Sequence, residues 1–375
     1  MSYTLIGTAV SLFTGKARGY FRWKNLPFRE QLSTAEVYKT VILPRVGWSV
    51  VPVVLHQDGS ADGRVLQDTT EIIDYCEAHE PGPSVYPDGP VQKLVALILE
   101  LFGDEWLVIP AMHYRWAFNR EFAQAEFGAT SYPDLPPAEQ FAAAQKAVDF
   151  FSGIVPVLGV APESVAAIEH AYEAFLAAFE VHLGAHDFLL GSRPSIGDFG
   201  FMGPLYAHLL RDPASGELMQ RQAPRVADWA RRTHAPQHAL TGDFLPDDEI
   251  PATLMPILEM FAAQQLPVLL DTAEALEAWS DANPDTQELP RIFGFHKVRI
   301  GHGDNTVETD RATFPYALWM LQRVTDHLAS LDGEDRHRAD ELLRSIGAAK
   351  LIDFAAPARL SRENFKLVRA SARGD

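Results

Sequence analysis

Three short stretches near the start of the chain combine side chains and backbone suited to gripping a small peptide. Ser11-Leu12-Phe13-Thr14-Gly15-Lys16-Ala17-Arg18 sets two hydroxyls and two cations around a turn entering a helical segment. Val50-Val51-Pro52-Val53-Val54 is an apolar run with a proline inside it. An ordinary central strand excludes proline, which removes a ladder donor, whereas a proline at the entry of a strand is often cis and marks a functional turn. Asp68-Thr69 opens an amphipathic segment over residues 69–79, so free backbone N–H groups and short polar side chains sit at a helix N-terminus. Unpaired backbone at the proline turn and a polar helix start together could hold both ends of a small peptide. Each stretch also has a purely structural reading. Ser11 and Thr14 read as caps of a strand–helix turn, and Asp68 with Glu71 reads as a capping box.

Farther along, Phe102, Trp106, Ile109, His113, Trp116 and Arg120 recur at helical spacing, placing large aromatics and a histidine on one stripe. The stripe is either core or the wall of a pocket for an apolar molecule. Pro110 inside it is expected to kink the helix. Asp104, Glu105 and Arg115 either join His113 in a buried polar cluster or face water. His296, His302 and Asp304 match no standard metal spacing, so no metal is expected. Cys76 is the single cysteine, which excludes an internal disulfide and reads as a buried core thiol. Phosphate loops, HExxH and nucleophile elbows are all missing from the sequence.

The elements that must position these residues read β-α-β and then β-β-α. Strands are predicted over 3–7, 28–32, 50–55 and 64–67, with helices over 15–24 and 69–79. Asp58-Gly59 and Asp62-Gly63 mark a hairpin turn between the last two strands. Prolines between residues 81 and 90 punctuate a linker. Beyond it the pattern is almost wholly helical, over 137–151, 164–183, 198–211, from 224, over 251–282 and over 315–328. A short strand is expected within 292–300.

The chain has 375 residues and a formal net charge of −18, with 47% hydrophobic residues and no block of like charge. It is long enough for two or three folded domains. The acidic balance repels phosphate backbones and anionic lipid, arguing against nucleic acid and membrane surfaces as partners. The N-terminus lacks a signal-like pattern, and apolar stretches such as 94–99 are too short to span a bilayer. A soluble cytoplasmic protein is expected.

The pattern from Ser11 to Arg18, the proline-entered strand, Asp68-Thr69, and Gly191-Ser192-Arg193-Pro194-Ser195-Ile196-Gly197-Asp198-Phe199 together resemble the serine-type glutathione transferases, over roughly residues 3–235. The resemblance implies an α/β thioredoxin-like N-terminal domain (1–82) and an all-α C-terminal domain (90–245), with a mainly helical extension (246–375) outside the common fold. It makes Ser11 the catalytic hydroxyl, seconded by Thr14, whose task is to lower the pKa of glutathione's thiol so that the thiolate exists. A hydroxyl donor at a helix N-terminus does this by hydrogen bonding to the charged form. Lys16 and Arg18 would add positive charge.

By the same resemblance, Val51 and Pro52 would hold the cysteinyl part of glutathione through backbone groups, while Asp68 and Thr69 would receive the γ-glutamyl ammonium and carboxylate. The family more often carries Glu-Ser or Gln-Ser there, and Asp is one methylene shorter. Phe13, Trp106, His113 and Trp116 would line the electrophile pocket, and Ser195 with Asp198 would form a structural capping box. Without a cysteine near Ser11, conjugation or isomerisation is implied over disulfide chemistry. The implied function is a cytoplasmic, homodimeric transferase joining glutathione to a small hydrophobic electrophile in detoxification. The alternatives are a non-catalytic glutathione or ligand binder and a glutathione-dependent isomerase or lyase.

Overall fold

β1 (Tyr3–Gly7) is buried at every position, as a strand flanked on both sides must be. In the computed structural model, which describes residues 3–60, 63–236 and 242–370, it sits inside a four-stranded sheet of order β2-β1-β3-β4. β2 (Phe28–Leu32) runs parallel to β1, while β3 (Val53–His56) pairs antiparallel with β1 and β4 (Arg64–Gln67) antiparallel with β3. The parallel pair demands a crossover, supplied by the helix Leu12–Trp23, and a second helix, Thr69–His79, follows β4. This is the order read from the sequence. Asp62 of the second turn dipeptide lies outside the described residues. The first helix starts three residues earlier than predicted, because Ser11 Oγ accepts the Thr14 amide at 3.2 Å and caps it. Gly15 is therefore an interior residue and not a start signal.

Nine helices from Pro90–Glu105 to Pro224–His234 form the next layer. Its tightest crossing joins Pro90–Glu105 to Ile196–Ala207. A Cβ on Gly103 would lie 2.5 Å from the Gly200 backbone, and one on Gly200 would lie 2.8 Å from Glu100 Cα, so both positions require glycine. The second helix of that pair starts at the expected capping box. Asp198, fully buried, accepts from the Ser195 amide (2.8 Å) and hydroxyl (2.9 Å), the Leu189 amide (3.1 Å) and the Trp229 indole (3.2 Å).

The predicted aromatic helix over 102–120 is interrupted. One helix ends at Glu105, the next spans Val108–Phe118, and Pro110 falls in its first turn, where a missing N–H costs little. The segment predicted over 137–151 is likewise two helices, Pro137–Ala143 and Gln145–Ile154.

The extension is mixed. A continuous helical run, Ala252–Ala282, is long and apolar enough by length and composition to cross a membrane, although no unbroken apolar stretch announced it. It serves as core instead, with 61% of its most apolar window buried. A hairpin of β5 (Phe295–His302) and β6 (Asn305–Ala312), the helices Tyr316–Ser330 and Gly333–Ser345, and a hairpin of β7 (Leu360–Glu363) and β8 (Lys366–Arg369) complete it. β6 was not predicted beside β5, because Asn305-Thr306-Val307-Glu308-Thr309-Asp310-Arg311-Ala312 is too polar to read as a strand. Thr309 and Arg311 are nevertheless buried beside Ala312.

His182 joins the two helical regions. Its Nδ1 lies 2.9 Å from Thr253 Oγ1 and its Nε2 3.1 Å from the Phe188 carbonyl, and burial pushes its pKa down to about 4. Below the ordinary value of 6.5 the unfolded chain takes up the proton that the folded chain refuses, so this contribution is present above pH 6.5 and lost as pH falls toward 4. The stability difference between wild type and His182→Gln is expected to shrink by about 2 kcal/mol from pH 7.5 to pH 5, read by urea unfolding at each pH. A pH-independent difference would remove His182 as the titrating group.

Candidate functional site

Strand register gathers the three N-terminal stretches. Ile6 pairs with Val53 and Val53 with Gln67, so the residues after β1, before β3 and after β4 emerge at one end of the sheet. Ser11, half-buried, stands there as the N-cap of Leu12–Trp23. Its capping bond uses an oxygen lone pair and leaves the hydroxyl hydrogen free to donate elsewhere. Thr14 is not beside it in the open. It is fully buried, and a Cβ on Gly7 would fall 2.2 Å from its methyl group. Thr14 contributes its backbone amide to the site through Ser11. The Val51–Pro52 bond is cis. Pro52 is buried, and Val51 packs with Val50 and Trp48 on the Ile6–Ile42–Val46–Val53 cluster.

Asp68 has φ +81°, a backbone region that L-residues avoid at a cost of about 1–3 kcal/mol unless their surroundings hold them there. The surroundings are visible. Oδ1 accepts the Thr70 amide at 3.0 Å, capping Thr69–His79. Oδ2 accepts the Tyr316 hydroxyl at 2.6 Å and lies 3.0 Å from Arg362 Nη1. Arg362 also donates from Nη2 to Gln67 Oε1 at 2.5 Å. Thr69 is buried beneath this cluster. Sequence reasoning missed Tyr316 and Arg362, which belong to the extension. The only available signal was the alternation around Asn364, which reads as a hairpin but not as a partner for Asp68.

The two cations of the first stretch are not free to act on a bound thiol. Lys16 Nζ is fully buried between Glu100 Oε1 (2.8 Å) and Asp104 Oδ2 (2.5 Å). Burial works against its charge, but Asp104 and Glu100 outweigh burial and raise its pKa. Arg18 is paired with Glu30, Nε lying 2.9 Å from Oε2. A buried charge must be neutralised locally, which is why these residues serve structure.

Phe13 lies half-buried two residues from Ser11. The other predicted pocket residues do not converge. The Trp106 indole donates to Gln264 Oε1 at 3.0 Å and borders a cavity of about 30 Å³ with Phe102, Tyr172 and Phe175, room for one water and not for an organic electrophile. His113 Nε2 lies 2.8 Å from Glu169 Oε1, and Trp116 stacks on Phe127 at 6.3 Å between centroids. Trp106 lies in the break between two helices, while His113 and Trp116 belong to the second of them. Arg115 pairs with Asp212 at 2.7 Å and not with His113. Cys76 is buried, which pushes its thiol up to about 12 and leaves it inert. Among the described residues no three metal-ligating side chains come together, and His296 Nδ1 is 3.7 Å from Asp271.

A thioredoxin-like α/β domain with its polar site at one sheet end, followed by a helical domain, defines the class of this protein. Residues 5–84 match the glutathione S-transferase N-terminal domain and residues 162–232 the glutathione S-transferase C-terminal domain. The chain carries both domains of the glutathione S-transferase family and continues well beyond the second.

Solved structures of similar fold include the beta-etherase LigF from Sphingobium sp. strain SYK-6, at 19% identity over 64% of this chain and 97% of that one, with a TM-score of 0.43. FzlA from C. crescentus follows at 17% identity, 67% and 97% coverage, and a TM-score of 0.42. A glutathione S-transferase from Methylobacterium radiotolerans in complex with glutathione sulfonate is 19% identical over 63% of this chain and 92% of that one, with a TM-score of 0.38. A search of curated proteins finds no match.

Removing the Lys16 ammonium strands two buried carboxylates. Lys16→Met is expected to lower stability by about 3–5 kcal/mol in urea unfolding, and a loss under 1 kcal/mol would mean that water already reaches Glu100 and Asp104.

Proposed function

We propose that the protein is a glutathione-dependent transferase that holds the glutathione thiol as a thiolate at Ser11 for attack on a small, largely apolar electrophile. The observation that carries this reading is the placement of the Ser11 hydroxyl at a helix N-terminus, at the same sheet end as the cis Val51–Pro52 bond and the Asp68–Thr69 helix start. The strained backbone of Asp68 adds to it, since such conformations cluster at binding sites.

In this reading Val51 binds the cysteinyl backbone. Asp68 takes the γ-glutamyl ammonium, and the N-terminus of Thr69–His79 takes its carboxylate. The sulfur then lies toward Ser11, which donates its free hydroxyl hydrogen while the Leu12–Trp23 helix adds its positive end. The thiol proton passes to solvent. The sulfur lone pair forms the new carbon–sulfur bond, as a leaving group departs with its electrons or as electron density moves onto an activated double bond. Thr14 acts only by orienting Ser11. A glutathione-dependent isomerase or lyase would use the same groups. We further propose a cytoplasmic location and a homodimer, the latter tested by sedimentation.

A second reading, a glutathione-fold binder without turnover, is favoured by the neutralised Lys16 and Arg18 and by the scattering of Trp106, His113 and Trp116. Ser11→Ala separates the two. For the transferase, kcat/KM with haloarene, epoxide or enone electrophiles should fall about 10²-fold, with glutathione binding retained and the thiolate ultraviolet band lost at neutral pH. A wild type inactive across those electrophile classes would favour the binder.

A further inference from the structure

We propose that the β7–β8 hairpin is a built-in competitor for glutathione, with Arg362 standing at Asp68 and Gln67 where a ligand's ammonium would go. The inference rests on the glutathione reading and adds its regulation. Asp68 offers two carboxylate oxygens, and both are engaged. Oδ1 caps the helix at Thr70, and Oδ2 receives the Tyr316 hydroxyl together with the Arg362 guanidinium. Gln67 Oε1 is taken by Arg362 as well. Three of the four lone-pair sites of Asp68 are thus taken, and an ammonium group approaching the fourth meets the positive charge of Arg362 beside it. The Arg362 side chain is 6% exposed and lies 5.8 Å from the ring centroids of both Tyr316 and Trp319.

The same hairpin covers the neighbouring part of the site. At its turn, Asn364 and Phe365 have positive φ, and the Phe365 side chain packs on the cluster that also holds Val50, Val51 and Trp48. Arg362 thus sits on the γ-glutamyl side and Phe365 on the cysteinyl side. One element of ten residues spans both halves of the proposed glutathione site.

The hairpin is suited to moving while its base stays put. Each strand has four residues, and such a two-stranded ribbon is marginal alone. Gln322 fastens its start, bonding the Leu360 amide at 2.8 Å and the Leu360 carbonyl at 3.0 Å, and Gln287 and Leu289 fasten its end through the Arg369 and Leu367 backbone at 2.9 Å. The helix beneath is held independently, Arg323 being paired with Asp74. Arg362 Nε is buried without a hydrogen-bond acceptor among the described residues and is 3.5 Å from Glu71 Oε2, so the guanidinium is imperfectly satisfied where it sits. Short strands and an unsatisfied donor favour a local opening, which must break the Arg362 pairs with Asp68 and Glu71. Apparent glutathione affinity is then the intrinsic affinity scaled by the open fraction.

The test is calorimetric titration of the full chain with reduced glutathione, for wild type, Arg362→Ala and Tyr316→Phe, each checked for an unchanged circular dichroism spectrum. Arg362→Ala should bind about tenfold tighter and Tyr316→Phe several-fold tighter, as expected for a site about nine-tenths closed. Hydrogen exchange on wild type should show the amides of residues 362–366 losing protection as glutathione is added. Weaker binding by Arg362→Ala would overturn the inference, because Arg362 would then be a ligand for glutathione's carboxylates. Unchanged affinity, or unchanged hairpin protection, would overturn it too while leaving the glutathione site standing. No binding by any of the three at millimolar glutathione would overturn the glutathione reading itself, and the gating with it. If Arg362→Ala fails to fold, Tyr316→Phe and the exchange experiment decide.

Discussion

Glu100 is the point at which the three parts of this chain meet. It is fully buried within Pro90–Glu105, and a buried carboxylate is tolerated only when opposite charges and donors offset its own charge. Both of its hydrogen-bond donors come from the thioredoxin-like domain, and the extension supplies a charge facing its other oxygen. Lys16 arrives from the first helix of the thioredoxin-like domain, Thr70 from the helix after β4, and Arg323 of the extension approaches the second oxygen at 3.6 Å. The acid cannot be solvated where it is, so these three elements must close around it. The consequences reach the site. Lys16 and Thr70 each lie within a few residues of groups proposed to bind glutathione, so the charge balance of the core bears on where Ser11 and Asp68 stand.

The same requirement explains what could be read from the sequence. Strand order, the proline-entered strand, the start of Thr69–His79 and the Ser195–Asp198 box were legible, because caps, turns and alternation are local patterns. Lys16 and Arg18 were legible as cations, but their burial was not. A basic residue in a turn reads as free charge until the opposing Glu100 and Asp104, 84 and 88 residues away, are placed. The aromatic stripe failed for a different reason. Its helical spacing was real within each half, but periodicity carries no information about a break such as the one after Glu105, and the phase was lost there. Tyr316 and Arg362 were beyond reach altogether, since a single hydrogen bond across 248 residues leaves no trace in spacing or composition.

The long run Ala252–Ala282 changes the meaning of the word extension. Inside it, Gln265 donates to the Leu101 carbonyl at 3.2 Å and Gln264 accepts the Trp106 indole, so its side chains reach into the helical domain where a free surface would otherwise lie. Phe261 packs edge-on against Phe102 at 6.3 Å between centroids. A family boundary drawn at the last shared helix therefore passes through the middle of one interior. Grafting the last third of this chain onto a shorter relative, or trimming it away, would not exchange a module. It would leave half of a jigsaw, and the two halves would have to evolve, and be engineered, as one.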